Sequence, residues 1–460
     1  MPVAPSDAKQ KQKSSGLSAL MRPVNSIVER YIPSALVFTI ILTFMVAILA
    51  LILTDAGPVE VINGWGDGLS GLLAFMTQMA LILLLGHTLA NTGPVRKVLA
   101  KLGGFPKTVI QAYLFVFVIA AVASLINWGL GLVVGVLVAK EVAEQGRNKG
   151  LKLHFPLLVA AGYSGYGIWH MGYSGSGTLT AATEGSFIAE QLGRTIPISE
   201  TTFSWWNMTA AAVTIIVVAV ALALVAPRSG DKIIELGFDA RNTDNVDDEV
   251  VTPADRIDAS RILTLLVGLA LVAYIVIHYV QGGTVGLDIV NWTFLALIFL
   301  LVRNPFELIA LIKNAASNVG EILLQFPLYA GIMGIMGATG LITVFSDFVV
   351  SVATPATFGV LAFFSAGVVN FFVPSGGGQF AVQGPIMLDA AQRLGVDPSV
   401  TIMAIAYGDQ WTNMIQPFWA LPVLAIAALK MRDILGYTMV TLIASGIVFA
   451  VTLLLIGPGV

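Results

Sequence analysis

Long apolar runs alternate with short polar intervals along the chain, and nine runs reach the roughly 20 residues needed to cross a bilayer core of about 30 Å. They lie at about 33 to 54, 68 to 92, 156 to 183, 205 to 226, 262 to 280, 285 to 302, 319 to 342, 400 to 428 and 434 to 456. Two further apolar stretches have another shape. Residues 108 to 139 hold one long arm, then Asn127-Trp128-Gly129, then an arm of about 11 residues, which covers only about 16 Å at 1.5 Å per residue. Residues 357 to 388 hold two short arms that meet at Asn370 to Gly378, where Pro374 has no N–H to donate and three glycines weaken helix. Each pattern predicts a re-entrant hairpin, which enters the membrane and returns to the same face.

The interruptions occur twice. Asn127 precedes Tyr163 by 36 residues and Asn370 precedes Tyr407 by 37, while Gln78 and Thr92-Gly93 stand 247 residues before Gln325 and Thr339-Gly340. Each half therefore runs span, span, hairpin, broken span, span. The broken spans carry glycine, serine and asparagine from Tyr163 to Gly177 and from Tyr407 to Gln416. Backbone that leaves the helix at membrane depth survives only where protein buries it or a cavity is lined by it. A repeated pair of such segments points to a transporter's binding site.

Lysine and arginine near span ends mark the cytoplasmic side. With residues 1–30 as a cytoplasmic tail, only Arg194 and Arg393 fall outside. Hairpin 108–139 lies between Lys107 and Lys140 and enters from the cytoplasm. Hairpin 357–388 is flanked by Asp347, Asp389 and Asp397 and enters from the periplasm. Four crossings per half would leave the copies parallel, so an extra helix within 261–284 turns the second over. The predicted fold is an all-α polytopic membrane protein with about nine transmembrane helices plus two opposed re-entrant hairpins. Repeat 1 covers 31–226, a polar cytoplasmic linker 227–260, and inverted repeat 2 residues 285–460, with a periplasmic C-terminus. Two inverted halves suit alternating access, because exchanging their conformations turns an inward-facing site outward.

Composition agrees. Of 460 residues 57% are hydrophobic and 11% charged, well under the roughly 25% charged residues of soluble domains. The absence of cysteine excludes disulfide and thiol chemistry. A net charge of −3 without a basic patch argues against nucleic acid. The polar N-terminus lacks the apolar core of a signal peptide and is expected to remain as a tail. Neither H-E-x-x-H nor a phosphate-binding glycine loop with lysine is present, which argues against a membrane enzyme. No resident cofactor is expected. A passive anion channel is a rival of another class, separated from a carrier by its lack of counterflow.

Several residues can carry transport chemistry. At the second tip, Ser375, Gly376, Gly377 and Gln379 precede or open a helix whose first N–H groups are unpaired, which makes an anion cradle; a tight turn alone would also use the glycines. Asn127 and Asn370 hold matched tip positions, where amide oxygens can ligate Na+ or cap helices. Asp409 lies inside an apolar span, and intramembrane carboxylates mark function by default. It can carry a coupling H+, ligate Na+ with Thr412, or brace the broken helix. With no lysine or arginine at the midplane, an anion would meet helix termini, Gln410, Asn413, Gln416 and serines. That favours a small monocarboxylate over a dicarboxylate. Trp128, Trp169, Trp411, Phe418 and Trp419 can wall a pocket for a short acyl chain, or simply pack. His170 is a titratable candidate with a structural alternative, His87 is assigned to packing, and residues 331–340 to close helix contact. Glu321 and Asp67 are expected to face water.

INWGLGLVVG (126–135), NFFVPSGGGQFAVQGP (370–385) and AIAYGDQWTNMIQPFWALP (404–422), with WGDG at 65–68, resemble the bacterial short-chain fatty acid transporter family, which includes acetoacetate and butyrate permeases. The resemblance covers the chain from about residue 22 onward. It implies a cation symporter of the cytoplasmic membrane within the wider ion-transporter superfamily, typically dimeric, with opposed hairpins and an elevator-like transport domain. By that analogy substrate is held by Asn127, Gly129, Ser174, Ser176, Asn370, Ser375, Gly376, Gly377, Gln379, Gln410, Trp411, Asn413 and Gln416. The coupling ion is assigned to Asp409, Asn127, Asn370 and Thr412. Coupling to H+ or Na+ stays open, as do acyl length and a different carboxylate, such as a dicarboxylate or acyl amino acid.

Overall fold

The computed structural model describes residues 35–227, 233–237, 252–317, 319–370 and 373–459. The predicted tail and most of the linker lie outside the described residues, as does the Phe418 side chain. Among the described residues every regular element is helical. The first half runs α1 (Ala35–Leu53), α2 (Pro58–Gly68), α3 (Leu73–Asn91), α4 (Gly93–Gly103), α5 (Val109–Ile126), α6 (Trp128–Asn148), α7 (Phe155–Gly165), a 3₁₀ turn (Tyr166–Met171), α8 (Ser176–Ala182), α9 (Phe187–Leu192) and α10 (Trp205–Leu224). Two helices follow, α11 (Pro253–Asp258) and α12 (Arg261–Val280). The second half runs α13 (Leu287–Leu301), α14 (Pro305–Ala316), α15 (Gly320–Ala338), α16 (Leu341–Val352), α17 (Pro355–Asn370), α18 (Gly376–Leu394), α19 (Pro398–Thr412), α20 (Pro417–Ala427) and α21 (Met431–Ile456).

The same local signals cut both halves at the same places. Pro58 and Pro305 each stand at the first position of a short helix, where a missing N–H costs nothing. Thr92-Gly93 and Thr339-Gly340 each separate a long apolar helix from a short amphipathic one, and the turn from α15 into α16 is 79°. Packing is exchanged between halves: α1 and α2 rest on α15, while α13 and α14 rest on α3.

Helices α3, α5, α10, α12 and α21 are long and apolar enough to cross a membrane, and the bent pair α15–α16 adds a sixth by the same measure. The nine uninterrupted runs expected from the sequence are therefore not nine continuous helices. The runs at 156–183 and 400–428 are each divided, because residues 172–175 and 413–416 leave the helix. The run at 285–302 gives a helix of only 15 residues.

Both predicted hairpins are helix–break–helix pairs with arms side by side. A Cβ built on Gly131 in α6 would stand 2.1 Å from Ser124 Oγ in α5. At their far ends Lys149 Nζ donates to Pro106 O at 3.1 Å. In the second pair Gln379 Nε2 donates to Ala366 O at 2.9 Å and Gln383 Nε2 to Ser365 Oγ at 3.1 Å. The returning arms outrun their predicted limits of 139 and 388. Polar residues after Lys140 and after Leu388 continue α6 to Asn148 and α18 to Leu394.

The glycines of 331–340 divide sharply by environment. A Cβ on Gly334 would stand 2.2 Å from Gly64 O in α2, whereas one on Gly337 would meet nothing within 4 Å. Gly334→Ala is expected to destabilise by roughly 1–3 kcal/mol as overpacking, and Gly337→Ala to be neutral or mildly stabilising through helix propensity. Thermal unfolding in detergent checks this; equal shifts in both variants would contradict the contact.

Candidate functional site

Four breaks in helix converge. At the first tip Asn127 takes an extended backbone (φ −153°, ψ 129°), and its Oδ1 accepts the Leu130 N–H at 2.9 Å, capping α6. Trp128 N donates to Ser174 Oγ at 2.9 Å and Tyr173 N to Leu125 O at 2.7 Å. The first tip is thus stitched to the segment between the 3₁₀ turn and α8. At the second tip Ser375 caps α18, its Oγ accepting from Gly378 N at 3.3 Å.

The two tips rest on one element, the 3₁₀ turn Tyr166–Met171. The Trp128 ring lies 5.7 Å from that of Trp169. A Cβ on Gly376 would stand 2.6 Å from His170 Nε2 and 2.7 Å from Trp169 Cη2. Glycine at 376 is what permits the second tip to come this close.

Asp409 and His170 are both fully buried, with Asp409 Oδ1 3.1 Å from His170 Nε2. His170 N donates to Gln410 Oε1 at 2.9 Å, which fixes the turn against α19. Among the described residues Asp409 Oδ2 and His170 Nδ1 have no hydrogen-bond partner. Beside them Asn370 Nδ2 lies 2.7 Å from Asp409 O, 2.9 Å from Thr412 Oγ1 and 2.8 Å from Asn413 Oδ1. Gln416 Nε2 donates to Asn413 Oδ1 at 2.9 Å and to Asn370 O at 3.3 Å. The matched tyrosines cross-link the breaks. Tyr163 donates to Asn413 O at 2.7 Å, and Tyr407 to Asn207 Oδ1 at 2.8 Å, while Asn207 Nδ2 donates to Met171 O at 3.0 Å.

Several residues expected to bind substrate have other work. Trp411 turns away: its Nε1 donates to Leu442 O of α21 at 2.6 Å, and its ring packs 4.8 Å from Phe363 of α17. The reason is helical phase, since one residue along from Gln410 rotates the side chain by about 100°. Gly129 faces the Leu83 backbone of α3, where a Cβ would stand 3.2 Å from Leu83 O. Gly377 and Gly378 admit the rings of Phe75 and Tyr329. Ser174 is committed to the first tip and Gln379 to joining the hairpin arms. Ser176 is buried at the start of α8. Asn370, Gln410, Asn413 and Gln416 do gather with Asp409 and Thr412, whereas Asn127 caps α6 and points at Gly86 of α3. The Asp409–His170 pair went unseen in the sequence because its members stand 239 positions apart. Tyr166 was also passed over, although it stacks on Trp169 at 5.8 Å.

Among the described residues no three His, Asp or Glu side chains group as a metal site. Two open grooves lie along α15. One of about 630 Å³ is lined by residues including Glu60, Asn63, Asp67 and Gly334; the other, about 430 Å³, by residues including Phe187, Gln191, Met333 and Pro385.

Comparison with known proteins places this arrangement in context. The family model "Short chain fatty acid transporter" matches residues 16–456. A protein of Escherichia coli strain K12 named "Putative short-chain fatty acid transporter" is 39% identical over 443 residues, covering 95% of this chain and 100% of that one. One of the same name from Haemophilus influenzae is 38% identical over 447 residues, covering 95% and 99%. Among solved structures, the YdaH transporter of Alcanivorax borkumensis superposes with a TM-score of 0.54 at 13% identity, covering 91% of this chain and 97% of that one. MtrF of Neisseria gonorrhoeae, described with a class of antimetabolite efflux pumps, gives 0.53 at 17%, covering 94% and 97%. At such identities these two structures speak for a shared fold.

Proposed function

The chain belongs to the short-chain fatty acid transporter family, and on that premise we propose that it is a secondary active symporter of short-chain monocarboxylates such as butyrate or acetoacetate. The observation that carries this is the meeting of both tips on Tyr166–Met171, beside the buried Asp409–His170 pair. A transport family of this kind moves its substrate rather than converting it.

In this reading the inverted halves make nine crossings with two re-entrant hairpins in the bacterial cytoplasmic membrane, N-terminus inside and C-terminus outside, as a homodimer. Tips, broken helices and substrate move together in an elevator-like alternation. Asp409 is the coupling carboxylate. Its contact with His170 Nε2 lets a proton be shared within the pair and supports H+ as the ion. The Asp409 carbonyl, the Thr412 hydroxyl and the Asn413 amide oxygen converge on the Asn370 amide nitrogen, and offer the Na+ alternative with uncharged ligands once that amide turns aside.

Proteoliposomes holding the purified protein, with pH and sodium gradients imposed separately, decide between these. Labelled butyrate is expected to accumulate under an inward proton gradient. Accumulation under sodium alone would reassign the ion, and no accumulation of butyrate or acetoacetate under either gradient would refute symport. Competition by a dicarboxylate or an acyl amino acid, but not by butyrate, would change the substrate class.

A further inference from the structure

Four buried donors gather around the first tip and the 3₁₀ turn. The Trp128 and Trp169 indole nitrogens, the Tyr166 hydroxyl and the Gln410 amide nitrogen have no hydrogen-bond partner among the described residues, and all four residues are at most 4% exposed. An indole nitrogen can only donate. Gln410 is held as a donor too, because its Oε1 already accepts from His170 N. Buried donors without acceptors are costly and uncommon, so four in one neighbourhood call for a cause.

Neighbourhood is the right word on geometric grounds. Tyr166 and Trp169 are three apart in a 3₁₀ turn, which puts them on one face, and their rings stack at 5.8 Å with planes 10° apart. The Trp128 ring lies 5.7 Å from Trp169. From α20, Trp419 closes over them, 5.2 Å from Trp128 and 6.1 Å from Tyr166. Gln410 reaches the same turn through His170. A group of donors without lysine or arginine selects a ligand that only accepts. An ionised carboxylate, with two oxygens and about four lone-pair sites, is such a ligand.

Resting on the short-chain acid reading above, we propose that the indole N–H groups of Trp128 and Trp169, the Tyr166 hydroxyl and the Gln410 amide seat the substrate carboxylate. The rings of Trp128 and Trp419 wall its acyl chain, while Trp169 is held between Tyr166 and His170. Binding sites of this type combine mostly apolar walls with a few placed polar groups. Toward the second tip the unpartnered atoms include the acceptors Asp409 Oδ2, Asn370 Oδ1 and Gln379 Oε1, beside the Asn413 amide donor. That side repels a second carboxylate, so the seat takes monocarboxylates.

The test removes single donors and keeps an aromatic ring at each position, the same ring only at Tyr166. Trp128→Phe, Trp169→Phe and Tyr166→Phe are compared with wild type in butyrate counterflow in proteoliposomes. Each is expected to raise the butyrate concentration for half-maximal exchange about tenfold, the effect of one hydrogen bond to a charged group, with little change in maximal rate. Tyr166→Phe deletes one oxygen, so it remains informative if an indole replacement does not fold. Wild-type exchange with half-maximal concentrations unchanged in the folded variants would overturn the seat alone. A wild type that exchanges no short-chain acid would overturn the functional reading and the seat with it.

Discussion

Asp409→Asn is expected to abolish gradient-driven accumulation of butyrate while the protein still folds and inserts. The amide has nearly the same volume and can still meet His170 Nε2, now 3.1 Å from Asp409 Oδ1. What it cannot do is change its charge. A carrier needs only about 1.4 kcal/mol of lost coupling to lose roughly tenfold in accumulation, so the effect is large even if substrate still binds. Exchange of butyrate without a gradient should persist at a reduced rate. Full accumulation by Asp409→Asn would demote the carboxylate to a brace of the broken helix. His170→Gln is expected to weaken accumulation in the same direction.

The second large effect falls on two glycines in the broken spans, two residues after Tyr163 and one after Tyr407. Gly408 in α19 lies against α17, where a Cβ would stand 2.3 Å from Phe363 O and 2.8 Å from Gly367 N. Gly165 in α7 lies against α5 in the same way, with a Cβ 2.5 Å from Ala121 N. These contacts are with backbone, which cannot swing aside as a flexible side chain can. Valine at either position forces the helices apart, at a cost of roughly 1–3 kcal/mol or more for overpacking. At Gly408 the separation also pulls Asp409 O and Thr412 Oγ1 from Asn370. Gly408→Val and Gly165→Val should therefore lower the thermal midpoint and eliminate uptake, whereas Gly66→Ala, with open space around it, should leave both near wild type. Normal stability and uptake in both valine variants would show that the helix contacts are wrong.

How much of this could be seen in the sequence depends on the range of the interaction. Local signals were legible: Asn127 caps a helix, and prolines and glycines mark where helices start or stop, whereas Ser375 read as a tip ligand and caps α18. The matched breaks were legible because the same local signals return at nearly constant spacing, from Gln78 and Gln325 to Asn127 and Asn370. The returning arms of the hairpins looked shorter than they are, because a helix leaving the apolar layer continues as a polar helix without an apolar signature. Facing was not legible. Trp411 lies between two site residues in sequence yet serves the α17–α21 contact, and Tyr166 reads as one more aromatic until Trp169 stacks on it. The pairing of His170 with Asp409 depends on how α19 crosses the 3₁₀ turn, which no local pattern encodes.

Both tips belonging to one substrate site, reached from opposite faces, is the claim on which the transport account rests. Because the chain has no cysteine, Trp128→Cys and Ser375→Cys can each be labelled without background by membrane-impermeant thiol reagents in oriented vesicles. The account predicts that Trp128→Cys reacts from the cytoplasmic face and Ser375→Cys from the periplasmic face, and that saturating butyrate slows both reactions. Labelling of both positions from one face, or at rates indifferent to butyrate, would contradict it.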